Sequence, residues 1–149
     1  MPDLKKLFNE LVRFETEIWD SIDARLRAEH GLPLSRFEPM RVIASCSDCR
    51  VYDIAAALSL TTGGTSKLVD GIEAAGHCRR KPNPGDRRSS IIELTPAGKR
   101  LLAKATKTFE DELEGRLGAV LPDRSLHQLT TTLVKLREGD QAKRGKAAA

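Results

Sequence analysis

The sequence predicts a mainly α-helical fold with one small β-hairpin, and three observations carry that reading. Apolar residues recur at helical spacing from Leu4 to Leu26. The period changes to two on either side of Pro82-Asn83-Pro84-Gly85. Helical spacing then returns from Leu101 to Leu136. A chain of 149 residues is one domain's worth. With only 4% aromatic residues, its core must be built mostly from Leu, Ile, Val and Ala.

The elements follow in order. Leu7, Phe8, Leu11, Phe14, Ile18, Trp19, Ile22 and Leu26 form one long apolar stripe, ended by Gly31 and Pro33. So long a stripe exceeds what one small domain covers, and it is expected to pack on a second chain. Ser35 reads as an N-cap with Glu38 as its capping-box partner, opening a helix through Met40, Val42 and Ile43. The polar run Ser45–Arg50 breaks that helix. Asp53 then sits at the start of Ile54-Ala55-Ala56-Ala57-Leu58, an acid at a helix's positive end. Thr61 is the next N-cap, Leu68, Val69, Ile72 and Ala75 form an apolar face, and Gly76 is the stop. A short helix, a tight turn and a second helix are helix-turn-helix spacing.

His77–Lys81 and Ser90–Leu94 read as two strands forming a β-wing. Thr95 caps a further helix with Pro96 at its first position, continued by Leu101, Leu102, Ala105, Phe109 and Leu113 and weakened at its end by Gly115 and Gly118. A last helix begins near Pro122 and runs through Leu126, Leu129, Leu133, Val134 and Leu136. Residues 141–149, basic and Ala-rich, are expected to be a disordered tail.

Charge is unevenly placed. The total is +4, and the tail contributes Lys143, Arg144 and Lys146. Residues 61–100 carry 8 basic and 4 acidic groups, whereas 1–60 carry 8 and 10, and 101–140 carry 6 and 7. A positive stretch between two acidic ones suits a polyanion such as nucleic acid. No apolar run approaches the roughly 20 residues of a membrane span. Met1–Lys6 lacks a signal-peptide core, and the three cysteines are an odd number that fits a reducing compartment. A cytoplasmic protein without membrane contact is expected.

The wing carries the most specific pattern: Asp86-x-Arg88, then Ile92-x-Leu94-Thr95, inside strand-turn-strand between helices. With the preceding "TSKLVDGIEAAG", residues 65–76, it resembles the MarR family of winged helix-turn-helix transcription regulators over nearly the whole chain. The resemblance implies a homodimer clamped by its N- and C-terminal helices, here about 3–30 and 96–139 of a single domain over 1–140. The winged helix-turn-helix lobe would span about 35–95, each lobe reading half of a pseudo-palindromic operator in double-stranded DNA. It also implies repression relieved by a small aromatic or phenolic effector, and that Arg88 enters a minor groove while Asp86 holds a neighbouring Arg in pose.

The residues support DNA binding independently of the family. Gly63 and Gly64 each lower helix propensity by about 1 kcal/mol, which calls for a compensating reason. Without side chains they let a helix N-terminus approach a phosphate or base edge. Thr61, Thr62, Thr65, Ser66 and Lys67 would present donors nearby. A protruding Arg87 or Arg88 suits a minor groove, and Arg79, Arg80 and Lys81 would contact phosphates.

Some residues depart from the family pattern. His77 and Cys78 stand where two apolar residues are usual, and Gly71 where a basic residue is common. Arg13 and Trp19 are candidates for an effector pocket, with core packing the plainer reading of Trp19. No metal or cofactor is expected: a Cys₃His zinc site would need His77 and Cys78, neighbours on a strand, to aim together. Cys46, Cys49 and Cys78 are read as ordinary reduced residues, with a thiol-based redox sensor as the alternative; the family's peroxide-sensing branch has its cysteine in the first helix, and this first helix has none. An enzyme is not expected. His30, His77 and His127 lie on unrelated elements, and no phosphate loop, metal motif or nucleophile elbow occurs.

Overall fold

The computed structural model describes residues 1–148. They form six α-helices and one two-stranded sheet: α1 (Leu4–His30), α2 (Leu34–Ser45), α3 (Val51–Leu58), α4 (Thr62–Ala74), β1 (Cys78–Pro82), β2 (Ser90–Leu94), α5 (Pro96–Leu113) and α6 (Asp123–Ala148). None of these helices is long and apolar enough to cross a membrane. The sequence reading placed residues 1–140 in one domain; the chain divides into two compact units, Met1–Glu110 and a second from Asp111 onward.

The first unit holds the core. Leu26, Phe37, Met40, Ile54 and Val69 are fully buried and Ile72 nearly so, drawn from four helices. Burying each such side chain is worth about 1.5–3 kcal/mol. The Phe37 and Phe109 rings meet at 4.9 Å between centroids, the Arg41 guanidinium lies 5.0 Å from the Phe109 centroid, and His30 bonds the Thr108 hydroxyl at 2.7 Å. These contacts fix the middle of α5 against α1 and α2.

Most helix ends match the sequence signals. Asp3 caps α1 by accepting from the Lys6 N–H at 3.0 Å. The exception is α2. It begins at Leu34, with Pro33 in the cap position and no side-chain cap bond from Ser35. Asp23 on α1 accepts the Leu34 N–H instead, at 2.8 Å, and Glu38 pairs with Arg41 at 3.0 Å rather than closing a capping box. Pro33 pre-sets the helical entry, and a carboxylate eleven residues away satisfies the open donor.

The wing strands are antiparallel, with Cys78 opposite Leu94, Arg80 opposite Ile92 and Pro82 opposite Ser90. The other edge of β2 is tied once more: the Ile92 N–H donates to the Cys49 carbonyl at 2.6 Å, from the loop between α2 and α3. The Thr95 hydroxyl donates to the Gly76 carbonyl at 2.6 Å and accepts from the Gly98 N–H at 3.0 Å, capping α5 and closing the base of the wing. A Cβ on Gly98 would overlap the His77 carbonyl, so α5 approaches β1 this closely only through glycine.

In the second unit a π-helical turn, Glu114–Gly118, contains both glycines that the sequence marks as weakening. α6 then continues to Ala148. The segment expected to be disordered is therefore helical up to Ala148. Its Ala, Lys and Arg are strong helix formers that extend an existing helix at little cost, despite Gly145.

Candidate nucleic-acid interface

The helix-turn-helix is built from α3 and α4. At the start of α3 the Asp53 carboxylate accepts the Arg50 N–H at 2.9 Å. At its end Ser59 takes a left-handed conformation, φ 56°, and the Leu60 N–H returns to Ala55 O at 2.9 Å. The chain is thereby delivered to Thr61, whose hydroxyl accepts the Gly64 N–H at 3.1 Å and caps α4 as the sequence implies. A Cβ on Gly64 would lie 3.0 Å from that same hydroxyl, whereas one on Gly63 would meet nothing. Gly64 thus serves the cap itself, and Gly63 leaves the helix start open.

Thr61, Thr62, Gly63, Gly64 and Lys67 are exposed on this first turn and Ser66 is half-buried. Thr65 departs from expectation. It is fully buried and donates its hydroxyl to Thr61 O at 2.8 Å. Its spacing to Val69 and Ile72, four and seven residues on, puts it on the core face of α4.

The wing tip is organised by its polar side chains. Asn83 accepts the Gly85 N–H at 3.0 Å and reaches the Ser89 hydroxyl at 3.2 Å. Asp86 accepts the Arg88 backbone N–H at 2.9 Å. Asp86 therefore engages the neighbouring Arg88 through the main chain, as an Asx turn. Both Arg87 and Arg88 are exposed, and neither forms an ion pair among the described residues. Arg88 borders a cleft of about 330 Å³ with Arg50, Tyr52, Thr62 and Arg80, so the wing, the start of α3 and the start of α4 share one cationic recess.

The strand cations expected at phosphates are largely committed to carboxylates. Arg79 and Lys81 flank Glu93 at 2.6 and 3.0 Å, and Lys81 first, then Arg79, hold its carboxyl below the usual glutamate range. Arg80 reaches Asp70 at 2.7 Å and Glu73 at 3.0 Å and also donates to Ser66 O at 3.4 Å. It is a brace between the wing and α4.

The effector candidates are not brought together. Arg13 faces Glu17 at 3.9 Å, and Trp19 borders a small hollow with Glu15, Thr16 and Asp20. Six residues at about 100° each place Arg13 and Trp19 on different faces of α1. A cavity of about 760 Å³ lies elsewhere in the first unit. Its floor includes Ile43, Ile91, Leu94 and Leu102, and its walls carry Lys99 and Lys107 together with Asp48 and the Arg79–Glu93–Lys81 cluster. No motif in the sequence marks it.

The cysteines separate into two places. Cys78 is buried beneath β1 with its thiol 3.8 Å from Val69 O, and burial pushes it up to about 11. Cys46 and Cys49 lie together with Asp53, their ligand atoms all within 4.8 Å of one another. Burial first, then the Cys46 thiol beside it, pushes Cys49 up to about 12.

Residues 32–90, the helix-turn-helix and most of the wing, match the family model described as MarR family. The match covers about two fifths of the chain. No curated protein matches the chain in sequence. Among solved structures, the MarR regulator AbsC of Streptomyces coelicolor is 18% identical with a TM-score of 0.86, covering 95% of this chain and 97% of its own. Sco3205, a MarR regulator of the same organism in complex with DNA, is 20% identical with a TM-score of 0.85, covering 91% and 86%. CouR of Rhodococcus jostii RHA1, bound to p-coumaroyl-CoA, is 24% identical with a TM-score of 0.76, covering 85% and 87%. At these identities the likeness is one of fold, and it extends the MarR architecture well beyond the matched domain. The winged helix expected from Asp86-x-Arg88 and its flanks is the fold observed.

Proposed function

We propose that the chain is a homodimeric, sequence-specific DNA-binding regulator that acts as a repressor. The observation that carries this reading is the pairing of an open α4 N-terminus, at Thr62 and Gly63, with two uncommitted guanidinium groups on a wing tip set by Asp86. First-turn N–H groups have no partner within their own helix and favour anions. The arginines beside them suit a minor groove. That Sco3205 was crystallised with DNA supports the same use of the fold.

Dimerisation rests on apolar surface. Leu4, Leu7, Phe8, Leu11 and Trp19 on α1 are each 41–68% exposed, and Leu129, Leu133 and Leu136 on α6 are 39–58% exposed. Contiguous patches of this kind mark an interface. The effector reading moves from Arg13 and Trp19 to the 760 Å³ cavity, whose apolar floor, with Lys99 and Lys107 on its wall, suits an aromatic acid or its thioester. CouR, seen with p-coumaroyl-CoA, is consistent with that class. Burial of Cys49 and Cys78, which raises both thiols, weighs against the thiol-sensing alternative at these two positions.

The test is selection from a random duplex library by the purified full chain. Enrichment of a pseudo-palindrome, with affinity falling steeply as salt rises, is the expected result. Failure to enrich any sequence, or affinity indifferent to salt, would overturn the reading.

A further inference from the structure

We propose that Cys46, Cys49 and Asp53 form a site for a divalent thiophilic cation of the zinc class. The two sulfurs and a carboxylate oxygen lie within 4.8 Å of one another at the junction of α2 and α3. Their convergence is built by the backbone. Cys46 terminates α2 in an extended conformation, and Asp48 turns the loop through a positive φ of 48°. That turn brings two sulfurs three residues apart to the same side as the third residue of α3.

Zinc bound by two thiolates at about 2.3 Å and a carboxylate at about 2.1 Å needs ligand separations of about 3.5–3.8 Å. The present spacing therefore closes with side-chain movements on the order of 1 Å. The Arg50 N–H at 2.9 Å and its guanidinium at 3.6 Å both engage Oδ2 of Asp53, which leaves Oδ1 for the ion and orients the carboxylate from behind. Cys49 is buried and Cys46 half-buried, so the site has a dry side and an entry side. A tetrahedral ion keeps its fourth position for water.

The donor set selects the ion. Two sulfurs exclude calcium and magnesium, and an oxygen third ligand favours zinc over a purely thiophilic monovalent ion. Binding releases the two thiol protons to solvent, so a 2+ ion replaces two protons and the charge of the site is unchanged. No oxidant or reductant is involved.

The position also matters. The Cys49 carbonyl accepts the Ile92 N–H at 2.6 Å, so the same loop holds the edge of the wing. If the DNA reading above holds, occupancy should change operator affinity. Metal binding itself does not depend on that reading.

The test uses the reduced full chain, kept in a phosphine reductant. Cobalt(II) titration should give a thiolate-to-metal charge-transfer band saturating at one ion per chain, displaced by zinc. Cys46→Ser and Asp53→Asn should each weaken binding at least about tenfold, as loss of even an orienting residue does. Zinc should raise the Tm of wild type and not of Cys46→Ser, whose half-buried position keeps the variant folded. No stoichiometric ion in reduced wild type, or unchanged affinity in the Cys46→Ser, Asp53→Asn double variant, overturns the site. A reduced chain that binds no ion but forms a Cys46–Cys49 disulfide on oxidation also overturns it. Operator binding is measured separately with and without zinc; no change there removes only the link to the wing, and no DNA binding at all fails the regulator reading while leaving the site intact.

Discussion

The guanidinium of Arg80, on β1, lies 2.7 Å from the Asp70 carboxylate and 3.0 Å from that of Glu73, both on α4. The Arg80 side chain is only 24% exposed, and its backbone N–H also reaches Glu73, at 3.2 Å. Arg80 thus braces the wing electrostatically against α4.

Arg80→Ala should therefore lower stability by about 1 kcal/mol, the scale of a part-exposed ion pair, and lower operator affinity by more than one lost phosphate contact. Arg80→Lys, which keeps the charge but not the fork, should recover stability only in part. Thermal unfolding alongside DNA anisotropy checks both. Wild-type affinity in Arg80→Ala would show that the wing needs no brace.

Arg88→Ala should act in the opposite proportion. Its side chain is exposed and without an ion pair among the described residues, so the Tm should stay within about 1 °C, as for surface changes of a few tenths of a kcal/mol. Operator affinity should fall at least severalfold, and the slope of log K against log salt should shrink. The salt series in wild type and variant measures this directly.

The parts of the fold legible in the sequence are those whose cause is local. The Thr61 cap, the Thr95-Pro96 start of α5 and the strand alternation around Gly85 all use partners within a few residues. What was not legible has distant causes. Ser35 was the obvious local cap for α2, but Asp23 supplies the bond from another helix. Thr65 looks like a DNA donor by composition, yet helix phase places it beside Val69 in the core. Arg79 and Lys81 look free until β2 places Glu93 between them.

Gly98→Ala tests a constraint that no turn signal announced. The added methyl would overlap the His77 carbonyl, which is backbone and cannot rotate away. The start of α5 or the base of the wing must then shift, costing about 3 kcal/mol. A Tm within a few degrees of wild type, by calorimetry, would show that this junction is looser than the structure has it.

Glu93 makes the wing acid-sensitive. Lys81 and Arg79 favour its ionised form, so its folded pKa lies below the unfolded value. Its stabilising contribution is present above the ordinary glutamate range and is lost as pH falls through the lower folded value. Glu93→Gln should remove that part of the acid dependence of Tm. An identical pH profile in the variant would mean that the pairing adds nothing.

The cysteines should differ in reactivity by position. Burial raises Cys49 to about 12 and Cys78 to about 11, well above an ordinary thiol near 8.5. Since thiolate is the nucleophile, both should be nearly inert at neutral pH. Cys46, half-buried at the end of α2, is the one a reagent can reach. In metal-free, reduced protein, iodoacetamide should modify Cys46 first and leave Cys49 and Cys78 protected until the chain unfolds. Peroxide at physiological doses should leave operator binding unchanged in the Cys46→Ser, Cys49→Ser variant and also in wild type, where the buried neutral Cys49 is a poor nucleophile for closing a disulfide onto an oxidised Cys46. The raised values carry a stability consequence of the opposite sign to that of Glu93: the fold favours the neutral thiols, a preference fully present below the unfolded thiol pKa and lost as pH rises through the folded values. Stability should therefore decline above about pH 8.5. Peptide mass spectrometry across a pH series reads the labelling order, and labelling of Cys49 as fast as Cys46 at pH 7 would sink the argument.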